Sequence, residues 1–333
     1  MKKRTYRIFV AFAILAVLIA VGVAGYSIYR QHAPQRNMPD MQESGAEVQR
    51  QQTSEDTRTQ EATVTEETGS ESVQQGLPED SYFEIDFLDV GEADSTLVRC
   101  DGHYMLIDGG NPGSSSFLYA YLQQNGIDYI DYMVCTHAHE DHVGGLAGAL
   151  NYAKVGTAYA PVTEYDTRAF NSFVKYLGEQ EKSITIPAAG DTFMLGNARV
   201  QIVGPVDMSL AGDNANNTSI VVHITYGNTT FLITGDAEEI EEQSIVDAGY
   251  DIKSMVLRVG HHGSYTSTSE RFLRAVAPEY CVISVGKDNA YDHPHDQVLN
   301  RIAGYGAEVY RTDLNGDITC ISDGETVRFS MEK

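Results

Sequence analysis

CTHAHEDHVGG, residues Cys135 to Gly145, sets three histidines and two acids within the six positions 137–142. A short apolar run, DYMVC at 131–135, leads into it, and a glycine pair follows. That pattern reads as a buried strand ending in a loop loaded with coordinating side chains. On an extended or looping backbone His137 and His139, two apart, face the same way. Asp141 and His142 form a second pair. Imidazole and carboxylate together suit zinc, manganese or iron. Two pairs in one loop can serve two metals, and such sites clamp the attacking and leaving oxygens of a phosphoryl displacement. A solvated polar loop is the plain alternative. Three of the chain's ten histidines rarely meet within six residues by chance.

Outward from this loop the chain alternates strands and helices. YFEIDFLDV (82–90) has a strand pattern, and STLVRC (95–100) and HYMLIDGG (103–110) pair across the turn Asp101-Gly102. Residues 114–125 read as a helix, and another starts within 143–150. SIVVHITY and TTFLITGD form a second hairpin across Gly227-Asn228. A helix over 237–249 stops at glycine. A strand at 253–260, a helix at 269–277 stopped by Pro278 and a strand at 280–286 follow. A helix at 295–304 and strands near 306–310, 316–321 and 325–330 complete the chain. Two strand-rich halves with helices between them imply an α/β layered sandwich, two sheets covered by helices.

The first 80 residues differ. Met1 to Arg7 is basic, and Ile8 to Tyr29 is almost wholly apolar. About 20 apolar residues at ~1.5 Å rise cross a ~30 Å hydrocarbon core. The basic cluster ahead of the span sets the N-terminus in the cytoplasm. A cleaved signal peptide competes with this reading, but its apolar region is only about 7–15 residues and ends at a small-residue site. The expectation is a cytoplasmic segment (1–7), a single-pass transmembrane signal anchor (8–29) and an extracytoplasmic domain (81–333). Residues 30–80 are rich in Gln, Glu, Thr and Ser and lack aromatics. They cannot bury enough apolar surface to offset ordering, so they read as a disordered linker.

The chain carries 47 acids and 23 bases; residues 1–80 hold 11 and 8 of them, which leaves 81–333 with a net charge of −21. Such a field repels polyanions at long range and argues against a broad nucleic-acid-binding surface. It does not exclude a local nucleic-acid substrate. Cys100, Cys135, Cys281 and Cys320 lie in apolar, strand-like contexts without a CxxC, and read as buried thiols.

The spacing His137-x-His139-x-Asp141-His142 resembles the signature of the metallo-β-lactamase fold. The resemblance implies a four-layer αββα sandwich over 81–333. It implies that the first His pair holds one metal and the Asp-His pair the other. Asp236, ending FLITGD, resembles the carboxylate that bridges the metals, and His261 or His262 in RVGHHGSYTSTS supplies the late ligand, with His262 favoured. Asp108 in Asp108-Gly109-Gly110 reads as an acceptor orienting a ligand histidine. Longer stretches, including FLDVGEADSTLV and VLRVGHHGSYTSTSERFLRAVAPEYCVISVGKDNAYDHPHDQVLNRI, are similar to the C-terminal domain of ComEC-type competence proteins over about 82–330.

Departures from that pattern carry information. The first-strand motif commonly reads Gly-Gln-Gly-Asp; here it is Gly91-Glu92-Ala93-Asp94, which keeps Asp94 but adds a charge. Where many such hydrolases place a further histidine, this chain has Asn216, Asn217 and Ser219; His223 sits mid-strand and reads as a sheet residue. The first metal is therefore expected to be the weaker. His293 and His295 in YDHPHD are candidates for proton donor or phosphate contact. Ser264, with Ser267 and Thr268, either contacts phosphate or caps the following helix. Asn217 and Tyr291 are candidate substrate contacts.

The resemblance implies a hydrolase with one or two divalent ions, Zn²⁺ or Mn²⁺, and a metal-activated water oriented by Asp141. The expected substrate is a phosphodiester, either DNA, as the competence resemblance implies, or a wall phosphopolymer such as choline-bearing teichoic acid. A non-catalytic binding module of a membrane complex is the rival class. Its mark would be missing ligands.

Overall fold

The computed structural model describes residues 77–333. The expected anchor and nearly all of the expected linker lie outside the described residues. Among the described residues no helix is long and apolar enough to cross a membrane.

Two sheets form the frame. The first takes β1 (Phe83–Phe87), β2 (Thr96–Cys100), β3 (His103–Ile107), β4 (Tyr129–Val134), β5 (Lys154–Tyr159) and β6 (Ile184–Thr185) side by side in chain order. The second takes β7 (Thr192–Leu195), β8 (Ala198–Gly204), β9 (Val221–Tyr226), β10 (Thr229–Ile233), β11 (Val256–Arg258), β12 (Tyr280–Ile283) and β13 (Glu308–Arg311). The chain then returns to the first sheet as β14 (Ile318–Ser322) and β15 (Val327–Met331), closing it beside β1.

The hydrophobic pattern of β1 explains its register. Phe83, Ile85 and Phe87 enter the core between the sheets, where Phe83 meets the rings of Tyr226 and Phe231 at 4.8 and 4.9 Å. Glu84 and Asp86 alternate to the other face and pair with Arg99 of β2, at 2.9 Å for Asp86. A slip of one residue would exchange these sets and drive two carboxylates into a dry core.

Helices cover both outer faces. Helix α1 (Ser115–Gln124), the single turn α2 (Glu140–Val143), α3 (Leu146–Tyr152) and α4 (Arg168–Glu179) lie on the first sheet. Leu118, Leu122, Leu146, Leu150, Phe170 and Phe173 form their buried stripe. Helices α5 (Glu239–Ala248), α6 (Glu270–Val276) and α7 (Asp296–Tyr305) cover the second sheet through Ile245, Phe272, Leu273, Val298 and Ile302. The order is helix, sheet, sheet, helix. All four cysteines are free and buried, and burial raises the thiols of Cys281 and Cys320 to about 12.

The helix expected to start within 143–150 runs from Leu146 to Tyr152, and a separate turn, Glu140–Val143, precedes it across Gly144-Gly145. The glycines are needed for contact between two loops: a Cβ on Gly145 would lie 2.0 Å from the carbonyl oxygen of Gly109, and one on Gly109 would lie 2.5 Å from the Leu146 nitrogen. Backbone thus packs directly on backbone, bringing the Asp108 turn against the histidine loop.

Candidate metal centre

The loops following β3, β4, β10, β11 and β12 meet at the carboxyl ends of those strands, the usual ligand edge of parallel sheet. His142 lies fully buried in the turn after β4. Its Nδ1 is 2.8 Å from Asp108 Oδ2. Asp108 also accepts the Thr136 N–H at 2.8 Å and the Thr136 hydroxyl at 2.7 Å, so it cannot swing away. With Nδ1 committed, Nε2 is the free atom, 3.3 Å from Asp236 Oδ1 and 3.9 Å from Asp141 Oδ2.

His262 mirrors this arrangement. Its Nδ1 donates to the Ser284 carbonyl at 3.0 Å. Its Nε2 lies 3.4 Å from Asp141 Oδ2 and 3.8 Å from Asp236 Oδ2. Asp236 is fixed in turn by its own N–H, which donates to Ser219 Oγ at 3.0 Å.

The donor set fits a divalent cation. Nε2 of His142, Nε2 of His262 and Oδ1 of Asp236 are buried and have no hydrogen-bond partner among the described residues. Each such orphan costs about 1–3 kcal/mol, and a shared cation would relieve all three. Among the described residues, Asp94, His142, Asp236 and His262 offer donor atoms within 4.8 Å of one another. Asp94, however, is ion-paired with the guanidinium of Arg258 and lies on the Nδ1 side of His142, at 3.6 Å. Asp141 lies instead on the Nε2 side, so donor atoms of Asp141, His142, Asp236 and His262 converge there.

Electrostatics point the same way. Burial works against a charged His142, but Asp236, Asp108 and Asp141 outweigh it and hold its pKa well above the usual imidazole value. Burial likewise opposes a charged His262, yet Asp236, Asp141 and Asp94 lift it to about 9. Burial pushes Asp236 up, and His142 and His262 pull it well below the carboxylate range. The surrounding acids thus favour positive charge on the two imidazoles. A divalent cation placed among these carboxylates would meet the same field.

Of the first histidine pair, His137 reaches Asp236. His137 Nε2 is 3.0 Å from His139 Nδ1 and 3.9 Å from Asp236 Oδ2. Burial and the neighbouring His142 push His137 well below the usual imidazole value. His261 places Nε2 3.7 Å from Asp236 Oδ2, while its Nδ1 lies near Thr266, Glu238 and Asn216. His262 is the buried member of the pair, and His261 lines the cleft.

Above the ligands opens a cleft of about 400 Å³ whose walls include Glu92, Glu140, Tyr165, Tyr291 and His293 and, among the described residues, no lysine or arginine. Asn217, Ser264 and His295 are not part of it. Asn217 Oδ1 accepts the Glu238 N–H at 3.1 Å. Ser264 Oγ accepts from Thr266 at 3.1 Å. His295 sits at the start of α7, and its Nδ1 accepts the Tyr265 N–H at 3.2 Å. His223 is a sheet residue, its Nε2 3.2 Å from the Lys253 carbonyl. Arg258, Tyr165 and Thr167 were not foreseen. Arg258 had a signal: it is the one base in the apolar strand VLRVG, and a buried cation needs a carboxylate.

Residues 88–287 match the model of the metallo-beta-lactamase superfamily. The chain belongs to the metallo-beta-lactamase superfamily. The fold is generally that of metal-dependent hydrolases. This superfamily member is 30% identical over 253 residues to ComE operon protein 3 of Bacillus subtilis, covering 71% of this chain and 32% of that protein. It is 33% identical over 230 residues to competence protein ComA of Neisseria gonorrhoeae, covering 68% and 30%. The chain thus spans about a third of the length of these relatives. Among solved structures, a metallo hydrolase from Ignicoccus hospitalis is similar over 71% of this chain and 98% of its own, with 17% identity and a TM-score of 0.49.

Proposed function

We propose that this superfamily member is a metal-dependent phosphodiesterase, exported and held at the membrane by residues 8–29. The observation that carries the reading is the convergence of Asp141, His142, Asp236 and His262 beneath an open cleft. Zn²⁺ or Mn²⁺ bound there would make a water acidic near pH ~7 and offset phosphoryl charge. The protein does the rest. Asp108 and the Ser284 carbonyl aim the imidazoles. Asp141, with a side chain 33% exposed at the cleft floor, orients the attacking water and takes its proton. Tyr165 and Tyr291 flank the groups attached to the phosphodiester.

Nucleic acid is the substrate we favour, supported by the competence relatives. A cleft wall that has no lysine or arginine among the described residues, with the −21 domain charge, suits a strand end or short single strand better than a duplex. The same charge favours a second reading, a wall phosphopolymer or small phosphoester. Single- and double-stranded DNA and bis(4-nitrophenyl) phosphate, assayed with Mn²⁺ or Zn²⁺, separate these. Cleavage of the small ester alone would sink the nuclease reading. Membrane anchoring is tested separately: the full chain should resist carbonate extraction, and a chain lacking residues 1–29 should not.

A further inference from the structure

Across the cleft from the ligands lies a side-chain pair that the metal cluster does not use. Glu92, in the loop after β1, places Oε1 2.8 Å from His293 Nδ1. Its other oxygen, Oε2, accepts the Gly286 N–H at 2.8 Å. The two side chains are only 16% and 7% exposed. Glu92 comes from the first sheet, whereas Gly286 and His293 belong to the loop between β12 and α7 of the second. One carboxylate therefore ties the two halves together at the cleft wall.

The geometry leaves this pair little freedom. A Cβ on Gly286 would lie 2.4 Å from the Glu92 nitrogen, so the two backbones are in direct contact. The backbone of His293 is braced as well: Asn289 Oδ1 accepts its N–H at 3.0 Å, and Asn289 Nδ2 donates to its carbonyl at 2.6 Å. Tyr291 stacks on the imidazole at 5.5 Å. The ring centroid stands 6.2 Å from that of His262 and 5.7 Å from that of His261, beside the ligand cluster rather than within it.

A carboxylate only accepts, so it fixes a hydrogen of His293 on Nδ1 and leaves Nε2 as the nitrogen through which a ring that lines the cleft exchanges protons. We propose that Glu92 is a positioning residue for His293, and that His293 Nε2 serves the departing oxygen of the phosphodiester. The proposal rests on the phosphodiesterase reading. In the step, the water oxygen forms a new P–O bond while the P–O bond to the leaving group breaks. The proton lost by water goes to Asp141, and His293 Nε2–H gives one to the departing oxygen. Exchange through solvent returns a proton from Asp141 to His293. Diester and water become monoester and alcohol, with no oxidant or reductant. Throughout, the Glu92 carboxylate holds the Nδ1 hydrogen, so Nε2 is the atom that gives up and regains a proton.

Two substrates with different leaving groups test this: bis(4-nitrophenyl) phosphate, whose phenolate leaves without help, and a dinucleotide, whose alkoxide needs a proton. The full chain is assayed at saturating Mn²⁺ as wild type, His293→Ala, Glu92→Ala and Glu92→Gln. Removing a general acid costs ~10²-fold or more, so His293→Ala should lose that much kcat on the dinucleotide with little change in KM. Its loss on the nitrophenyl ester should be far smaller. Glu92→Ala should show the same split at reduced size, and Glu92→Gln, which still accepts from Nδ1–H, should recover part of it. Metal content should be unchanged in all four. Nitrogen NMR of the metal-free protein should show His293 protonated at Nδ1 in wild type and mixed tautomers in Glu92→Ala. Equal losses on both substrates, or an unaffected Glu92→Ala, overturn the proposal while leaving the phosphodiesterase reading intact. A wild type with bound metal that cleaves neither substrate overturns both.

Discussion

Replacing Asp108 by asparagine exchanges a single atom and is expected to uncouple His142 from the metal. Asp108 Oδ1 accepts the Thr136 N–H at 2.8 Å, so asparagine keeps its oxygen there. The amide nitrogen then takes the place of Oδ2, 2.7 Å from the Thr136 hydroxyl and 2.8 Å from His142 Nδ1. The hydroxyl can rotate and accept. His142 Nδ1–H cannot: it meets a second donor. The ring escapes by moving its hydrogen to Nε2, the atom that faces Asp236 at 3.3 Å, and an Nε2–H cannot bind metal. If metal displaces that hydrogen, two donors face each other in a dry site. A buried unsatisfied donor costs about 1–3 kcal/mol, which is ~5- to 150-fold in affinity. That range overlaps the 10- to 100-fold typical of lost orienting partners. Competition with a fluorescent chelator for Zn²⁺ measures it, with circular dichroism checking that the variant is folded. A folded Asp108→Asn protein that binds within about twofold of wild type would refute the argument that Asp108 sets the ring.

Metal added to the stripped wild type at about 100 times its Kd is expected to stabilise the fold by ~2.7 kcal/mol. At ~2–4 °C per kcal/mol, thermal unfolding should rise by about 5–10 °C; His262→Ala should lose most of that shift and His261→Ala should keep it. Arg258→Met leaves the buried Asp94 carboxylate unpaired, at ~3–5 kcal/mol. Its thermal midpoint should fall steeply, and adding Asp94→Asn should restore part of it; a midpoint unmoved by Arg258→Met would deny the buried pair. Glu242 is buried, and burial raises its carboxyl from 4.5 to about 7 against hydrogen bonds from Ser269 and Thr268. The folded state thus holds this proton more tightly than the unfolded one, and stability falls as pH rises from about 4.5 to 7. The difference in urea stability between wild type and Glu242→Gln should swing by about 3 kcal/mol toward the variant between pH 4 and 8; a difference independent of pH contradicts it.

The centre of the site was legible because metal ligands are chemically conspicuous. His137 to His142 is dense, and Asp236 ends an apolar strand, where a carboxylate needs a reason. The sandwich was legible from hairpin turns and alternation, with boundaries shifting by a few residues where loops tighten, as at Gly144-Gly145. Other features depend on distances between remote segments. The choice between His261 and His262 is decided by Ser284, which is 22 residues away and takes up Nδ1 of the latter. Glu92 was visible as an added charge, but its partner is 201 positions distant. Asn217, Ser264 and His295 resemble phosphate contacts in sequence and are consumed by local hydrogen bonds in the structure. Residue type announces a ligand well; it announces poorly a polar side chain whose use is set by the loop it closes.

The most direct measurement combines metal content with phosphodiester hydrolysis in the full chain, wild type against Asp141→Ala. Wild type should take up at least one Zn²⁺ or Mn²⁺ and cleave a phosphodiester, and Asp141→Ala should bind less metal and lose nearly all turnover. A folded wild type that takes up no metal, or an Asp141→Ala variant as active as wild type, would contradict the account.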